Sequence, residues 1–82
     1  MYYTYVIYSL SRTYIYVGIT SDIKRRFAEH QNGKNKTTKP YRPYEILLVE
    51  EYSNRPDARV REKYLKSGVG KEFLKQLLSK KY

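Results

Sequence analysis

Between Tyr14 and Ile19 the chain alternates two chemistries: Ile15, Val17 and Ile19 are aliphatic, and Tyr14, Tyr16 and Gly18 lie between them. This period of two predicts a strand with the two sets on opposite faces of a sheet. The aliphatic set needs a covering helix. The tyrosine–glycine set faces something else, and Gly18 leaves space beside Tyr16 for another backbone or a ligand. There is no cysteine, so no disulfide and no thiolate-bound metal holds the layers together. The 82 residues are read as one domain, 1–82, which buries only roughly 60% of its unfolded surface. A deep pocket would compete with the core for apolar side chains. An active site is therefore expected on a shallow face, which suits a large substrate.

The surrounding pattern supplies the rest of an α+β fold. Thr4 to Tyr8 reads as a strand joined to Tyr14–Ile19 by a short polar connection. Ser21 or Asp22 caps a helix starting near Ile23, and Asn32-Gly33 ends it. Ile23 and Phe27 form its apolar contact, while Arg26 and His30 share a neighbouring face that would ordinarily be solvated. Lys34 to Pro43 is a loop with Lys34, Lys36, Lys39 and Arg42 and no acid. Tyr44 to Tyr52 is a third strand, and its doubly apolar centre, Ile46 to Val49, places it in the middle of the sheet. A second helix, capped by Ser53 or Asn54 with Pro56 in its first turn, runs to about Ser67 and stops at Gly68. Gly70 opens a third, whose stripe of Phe73, Leu74, Leu77 and Leu78 is core. Lys80 and Lys81 suit the negative end of its dipole.

Seventeen Lys and Arg against eight Asp and Glu leave a net charge of +9, a field that draws polyanions over about 8 Å at physiological salt. Nucleic acid is the first expected partner and an anionic membrane surface the second. No run of about 18 apolar residues spans a membrane. The N-terminus lacks the basic start and apolar stretch of a signal peptide, so the cytoplasm is the expected location. The 11 tyrosines serve strand packing, base stacking or proton transfer.

Glu62 breaks the pattern. It shares a narrow arc with Ala58 and Leu65, so a carboxylate points with two apolar residues. Arg59, Arg61 and Lys63 offer it ion pairs; a metal is the other way to hold such a charge. Cleaving a phosphodiester needs an activated water, charge neutralisation on the phosphate and a stabilised leaving oxygen. Two-metal sites need several converging carboxylates, whereas the eight acids here fall mostly on surfaces. One hard metal held by one glutamate, water and substrate is more economical. Arg26 could clamp the phosphate, and a tyrosine or His30 could handle the proton.

Val6-Ile7-Tyr8, Tyr16-Val17-Gly18, the turn from Ile19 to Arg26, His30, Arg61-Glu62-Lys63 and Leu65 to Leu74 occur in that order. The set resembles the GIY-YIG endonuclease family, in particular its small standalone members, similar to the N-terminal domain of excision-repair nucleases. The resemblance implies a three-stranded antiparallel sheet flanked by three helices, and a metal-dependent endonuclease connected with DNA repair. Tyr8 and Tyr16 would lie side by side, one activating or positioning the attacking water. Arg26 would bind the phosphate or stabilise its transition state, and His30 would assist with proton or phosphate. Glu62 would hold Mg2+ or Mn2+. Gly18, Lys24, Lys34, Lys36 and Lys39 would line the path of the substrate. DNA is favoured over RNA, with selection by structure or by a targeting protein. The alternative is a non-catalytic nucleic-acid-binding module of the same fold. The chain departs from the family at Val6, where the family has glycine, at Ile19, where many members are basic, and at Phe73-Leu74, where larger members carry asparagine.

Overall fold

The computed structural model describes residues 1–80, so Lys81 lies outside the described residues. The elements are β1 (Tyr2–Ser9), β2 (Ile15–Thr20), α1 (Ile23–Gln31), a 3-10 turn (Lys39–Tyr41), β3 (Tyr44–Tyr52), α2 (Arg55–Lys66) and α3 (Gly68–Ser79). The sheet is antiparallel throughout, in the order β2-β1-β3. This is the α+β architecture that the sequence implies.

β1, and not β3, is the central strand. Thr4 to Ser9 are buried without a break, whereas Val49 in β3 is 40% exposed. Hydrophobicity alone favours β3, because Ile46-Leu47-Leu48-Val49 is the more apolar run. Two facts override it. The β1–β2 hairpin forms on one side of β1, leaving β3 the other. The pairing also slips between Val6 and Ile7, which face Leu48 and Ile46. Leu47 is thus an extra residue in β3, as in a bulge. It lets Leu47 and Leu48 both pack with the Val6 side of the sheet, while Ile46 packs on the other. The continuous run reflects a bulge rather than a strand buried on both faces.

The two faces of the sheet have different covers. On one, Val6 and Val17 pack with Leu65 of α2 and Leu74 of α3, flanked by Ile15, Phe73 and Leu77. Full burial of each such side chain contributes roughly 1.5–3 kcal/mol. Thr4 Oγ1 donates to the Ala58 carbonyl at 2.7 Å, fixing α2 on β1. Ser67 closes α2 and caps α3, and Gly70 lets the two helices meet where a side chain would strike the Tyr64 carbonyl. α3 therefore begins two residues earlier than glycine placement implies, because the Ser67 cap and not Gly70 sets its start. The opposite face carries Tyr5, Ile7 and Tyr44, with Tyr14, Tyr16, Ile23 and Phe27 packed against them. As expected for β2, the aliphatic and tyrosine sets separate.

α1 sits on the tyrosine face. The Asp22 side chain accepts from the Arg25 N–H at its start, and Gly33, at φ +75°, turns the chain out at its end. Ile23, Phe27 and His30 share one arc, and His30 is the helix's one buried residue. Gln31 then clamps the start of β3, donating to the Tyr44 carbonyl at 3.1 Å and accepting from its N–H at 2.6 Å. No helix among the described residues is long and apolar enough to cross a membrane.

Candidate active site

The tyrosine face brings its polar groups together around Tyr5. Tyr5 pairs with Gly18 across the β1–β2 ladder. A Cβ at Gly18 would lie 2.7 Å from the Tyr5 hydroxyl and 2.8 Å from Cζ. Glycine is thus the slot through which the Tyr5 phenol crosses β2. The sequence implies a substrate or a backbone at Gly18; the group it admits is this side chain. Beyond the slot, the Tyr5 hydroxyl lies 2.8 Å from His30 Nε2 and accepts from Arg26 Nε at 3.3 Å. The Tyr16 ring centroid is 6.3 Å from that of Tyr5 and 5.0 Å from that of His30.

Tyr8 is not part of this cluster. Its strand partner is Ile15, while Tyr16 is partnered by Ile7. Strand parity therefore sends Tyr8 to the face covered by α2 and α3, opposite Tyr5 and Tyr16. There it is 4% exposed. The expectation that Tyr8 and Tyr16 stand side by side is corrected: the neighbour is Tyr5. The signal was present in Tyr3-Thr4-Tyr5, a second placement of the half-motif three residues earlier. An odd offset inverts the face, and only the pairing register decides between the two.

His30 is fully buried rather than on a solvated helix face. Its Nδ1 lies 2.9 Å from Thr38 Oγ1, and Thr38, also fully buried, has Oγ1 3.4 Å from the Asn35 carbonyl. A carbonyl only accepts, so the assigned chain runs from His30 Nδ1–H to Thr38 to Asn35. Nε2 is then left to accept from the Tyr5 hydroxyl. The Thr38 carbonyl itself accepts from the Tyr44 hydroxyl at 2.8 Å, locking the loop against β3. Burial, with the Arg26 charge added, pulls His30 down to about 4. The imidazole is neutral at physiological pH. Burial likewise pushes Tyr5 up to about 12, despite the Arg26 hydrogen bond. Thr38 is not legible as a site residue in the sequence, because nothing in a run of loop residues marks which one turns inward.

Glu62 projects from α2 with Ala58 and Leu65, all three buried. Arg59 Nη1 reaches it at 3.4 Å and Lys66 Nζ at 3.2 Å. Of the partners expected from sequence, Arg61 instead binds Glu50, at 2.7 Å. The Glu62 charge adds a minor upward push to Tyr5, well behind burial. Among the described residues no group of three His, Cys, Asp or Glu converges. At Glu62 a hard cation would meet one carboxylate, and its other oxygen ligands would have to come from water and substrate. Glu62 fits that role: its two partners are more than half exposed, so a cation could replace either without stranding a buried charge.

The expected substrate contacts separate by position. Lys24 on α1 and Lys34 after it are exposed. Lys36 and Lys39 flank Thr38 and, with Arg42 and Gln31, line an open depression of about 630 Å³. Thr38 turns in to His30 while its lysine neighbours are exposed. The basic loop and the buried cluster are therefore two sides of one segment.

Comparison with known proteins fits this geometry. A model described as the GIY-YIG catalytic domain matches residues 1–76. A UPF0213 protein of Limosilactobacillus reuteri is 34% identical over 80 residues, covering 94% of this chain and 82% of that protein. A UPF0213 protein of Pediococcus acidilactici, encoded in the ldhD 5' region, is 35% identical over 93% of this chain and 80% of its own. The solution NMR structure of a UPF0213 protein from Bacillus halodurans superposes with a TM-score of 0.55 at 28% identity, covering 93% and 83% of the two chains. With the ordered tyrosines, arginine, histidine and glutamate on one such scaffold, the chain belongs to the GIY-YIG catalytic-domain family, among proteins of the UPF0213 type.

Proposed function

We propose that this protein is a metal-dependent endonuclease that hydrolyses DNA phosphodiester bonds, using Tyr5, Tyr16, Arg26, His30 and Glu62. The observation that carries the reading is the Tyr5 hydroxyl held between a neutral His30 and a charged Arg26. Burial makes a standing phenolate costly, so Tyr5 can accept a proton only by passing its own on. Water gives a proton to Tyr5 Oη as Tyr5 gives its proton to His30 Nε2. The resulting hydroxide attacks phosphorus and the ester oxygen on the far side departs. Arg26 takes the phosphate, and the phosphate charge offsets the cation that now depresses His30, making the imidazole a better acceptor as substrate binds. Tyr16, partly exposed beside both rings, positions the water. Glu62 would hold Mg2+ or Mn2+, which when bound stabilises negative charge on the phosphate and leaving oxygen.

Lys24, Lys34, Lys36 and Lys39 supply phosphate contacts that are salt-sensitive and carry no sequence information. This favours selection by DNA structure or by a targeting protein. One observation supports a binding-only module: Glu62 already holds two cations, as a purely structural carboxylate would. Incubation of labelled single-stranded, duplex and branched DNA with magnesium, manganese or EDTA separates the two. Metal-dependent products that Glu62→Gln abolishes, with DNA binding retained, establish the nuclease. Binding without products under every condition establishes the module.

A further inference from the structure

A second concavity, of about 700 Å³, opens between β2 and the helices α2 and α3. That volume is within the ~300–1,000 Å³ typical of small-ligand sites. Its apolar lining comes from Tyr8, Ile15, Val17, Leu65, Leu74 and Leu78. Arg12, Lys66, Lys71 and Lys75 stand around it, all exposed, and among the described residues no acid contributes to the lining. The groove lies on the opposite face of the sheet from Tyr5 and His30, and it meets the proposed site at the edge strand β2 and at Lys66. Tyr16 contributes to its lining and stands 5.0 Å from His30. Lys66, on its rim, reaches Glu62 at 3.2 Å.

We propose that this groove receives an unpaired nucleotide of a single-stranded nucleic acid, adjacent to the cleavage site. The inference rests on the nucleic-acid reading above and names the form of its substrate. An apolar floor of Ile15, Val17, Leu65, Leu74 and Leu78, with Tyr8 on the same face of the sheet, offers a base a surface for stacking and burial. The four cations match the phosphates on either side of that base. A duplex keeps its bases stacked inside and offers this concavity only backbone, unless a nucleotide is flipped out at a cost. A single strand, or the unpaired arm of a branched substrate, meets no such cost. The groove thus converts a general attraction for polyanions into a preference for unpaired DNA next to the scissile bond.

The test is binding in EDTA, where no cleavage occurs, read by the anisotropy of a short fluorescent oligothymidylate. A blunt hairpin duplex with the same number of phosphates and an abasic version of the single strand are the comparisons. The single strand is expected to bind on the order of 10-fold more tightly than the abasic strand, and more tightly than the duplex. The K71E/K75E double variant changes two exposed residues of α3 that lie outside the catalytic cluster. It is expected to weaken single-strand binding and lower the slope of log K against log salt by about 0.7 for each phosphate no longer neutralised. Its circular dichroism checks that it is folded. Equal affinity for intact and abasic strands, tighter binding of the duplex, or an unchanged double variant overturns the proposal. So does displacement by an acidic leucine-containing peptide that leaves strand affinity independent of its bases, which assigns the groove to a protein. Failure of cleavage with the single-strand preference intact counts against the nuclease reading alone.

Discussion

Substituting Gly18 by alanine tests the slot on which the cluster depends. Alanine would place a methyl 2.7 Å from the Tyr5 hydroxyl and 2.8 Å from its Cζ. The phenol cannot swing aside freely: it is 3% exposed and tied to His30 at 2.8 Å and Arg26 at 3.3 Å. Forcing a methyl into such a packed site costs about 1–3 kcal/mol. Alanine in a strand otherwise gains about 0.5–1 kcal/mol over glycine through backbone entropy. The expected net effect of Gly18→Ala is therefore a loss of about 1–2 kcal/mol, a fall in Tm of roughly 4–8 °C per kcal/mol in a domain of this size. In a Tyr5→Leu background the ring is gone and the clash with it. There the same substitution should raise stability by about 0.5–1 kcal/mol. Urea unfolding followed by circular dichroism on the four proteins of this cycle gives the difference within each background, whatever Tyr5→Leu costs by itself. A reversal of sign identifies Gly18 as the slot for Tyr5. Destabilisation of the same size in both backgrounds refutes the reasoning.

Three further outcomes are expected. Tyr5→Phe should lower kcat by about 10²–10⁴-fold through loss of proton transfer, whereas Tyr8→Phe, altered on the opposite face, should leave single-turnover cleavage nearly unchanged; equal losses would restore Tyr8 to the site. His30 titrates near 4 when folded and ordinarily near 6.5, so the unfolded chain takes its proton first. Its contribution is complete above pH 6.5 and lost as pH falls towards 4, on the order of 3 kcal/mol; urea titrations should show this slope in the native protein and not in His30→Gln. Thr38→Val, nearly isosteric, strands the His30 Nδ1–H at a cost of about 1–3 kcal/mol and frees the tautomer, so kcat should fall and the lower limb of the pH–rate profile should move, with Thr38→Ser restoring both.

Much of the site was written in local sequence. Ala58, Glu62 and Leu65 recur at helical spacing, so Glu62 could be placed on an apolar arc without a structure, whereas His30 reads with Arg26 as part of a solvated face and only packing buries it. The separation of Ile15 and Val17 from Tyr14 and Tyr16 followed from strand parity alone. Asp22 and Asn54 cap their helices through short-range geometry that four residues suffice to specify. The ordered half-motifs led to the family because each lies within a strand, β1 or β2, that local propensity marks.

What only the tertiary structure decided depends on register and on strand order, which no window of sequence contains. Tyr5 and Tyr8 are equally tyrosine and three residues apart. The pairing of Tyr5 with Gly18 and of Tyr8 with Ile15 sends one to the tyrosine face under α1 and the other beneath α2 and α3. The extra residue at Leu47 made an edge strand read as a central one. Thr38 became the partner of His30 because Gln31 and Tyr44 fold the basic loop back onto α1, across distances along the chain that composition does not encode. Local spacing determines which face of its own element a residue occupies. Which faces meet is set by hydrogen-bonded register and packing between distant segments, and there the phenol, the imidazole and the guanidinium came together.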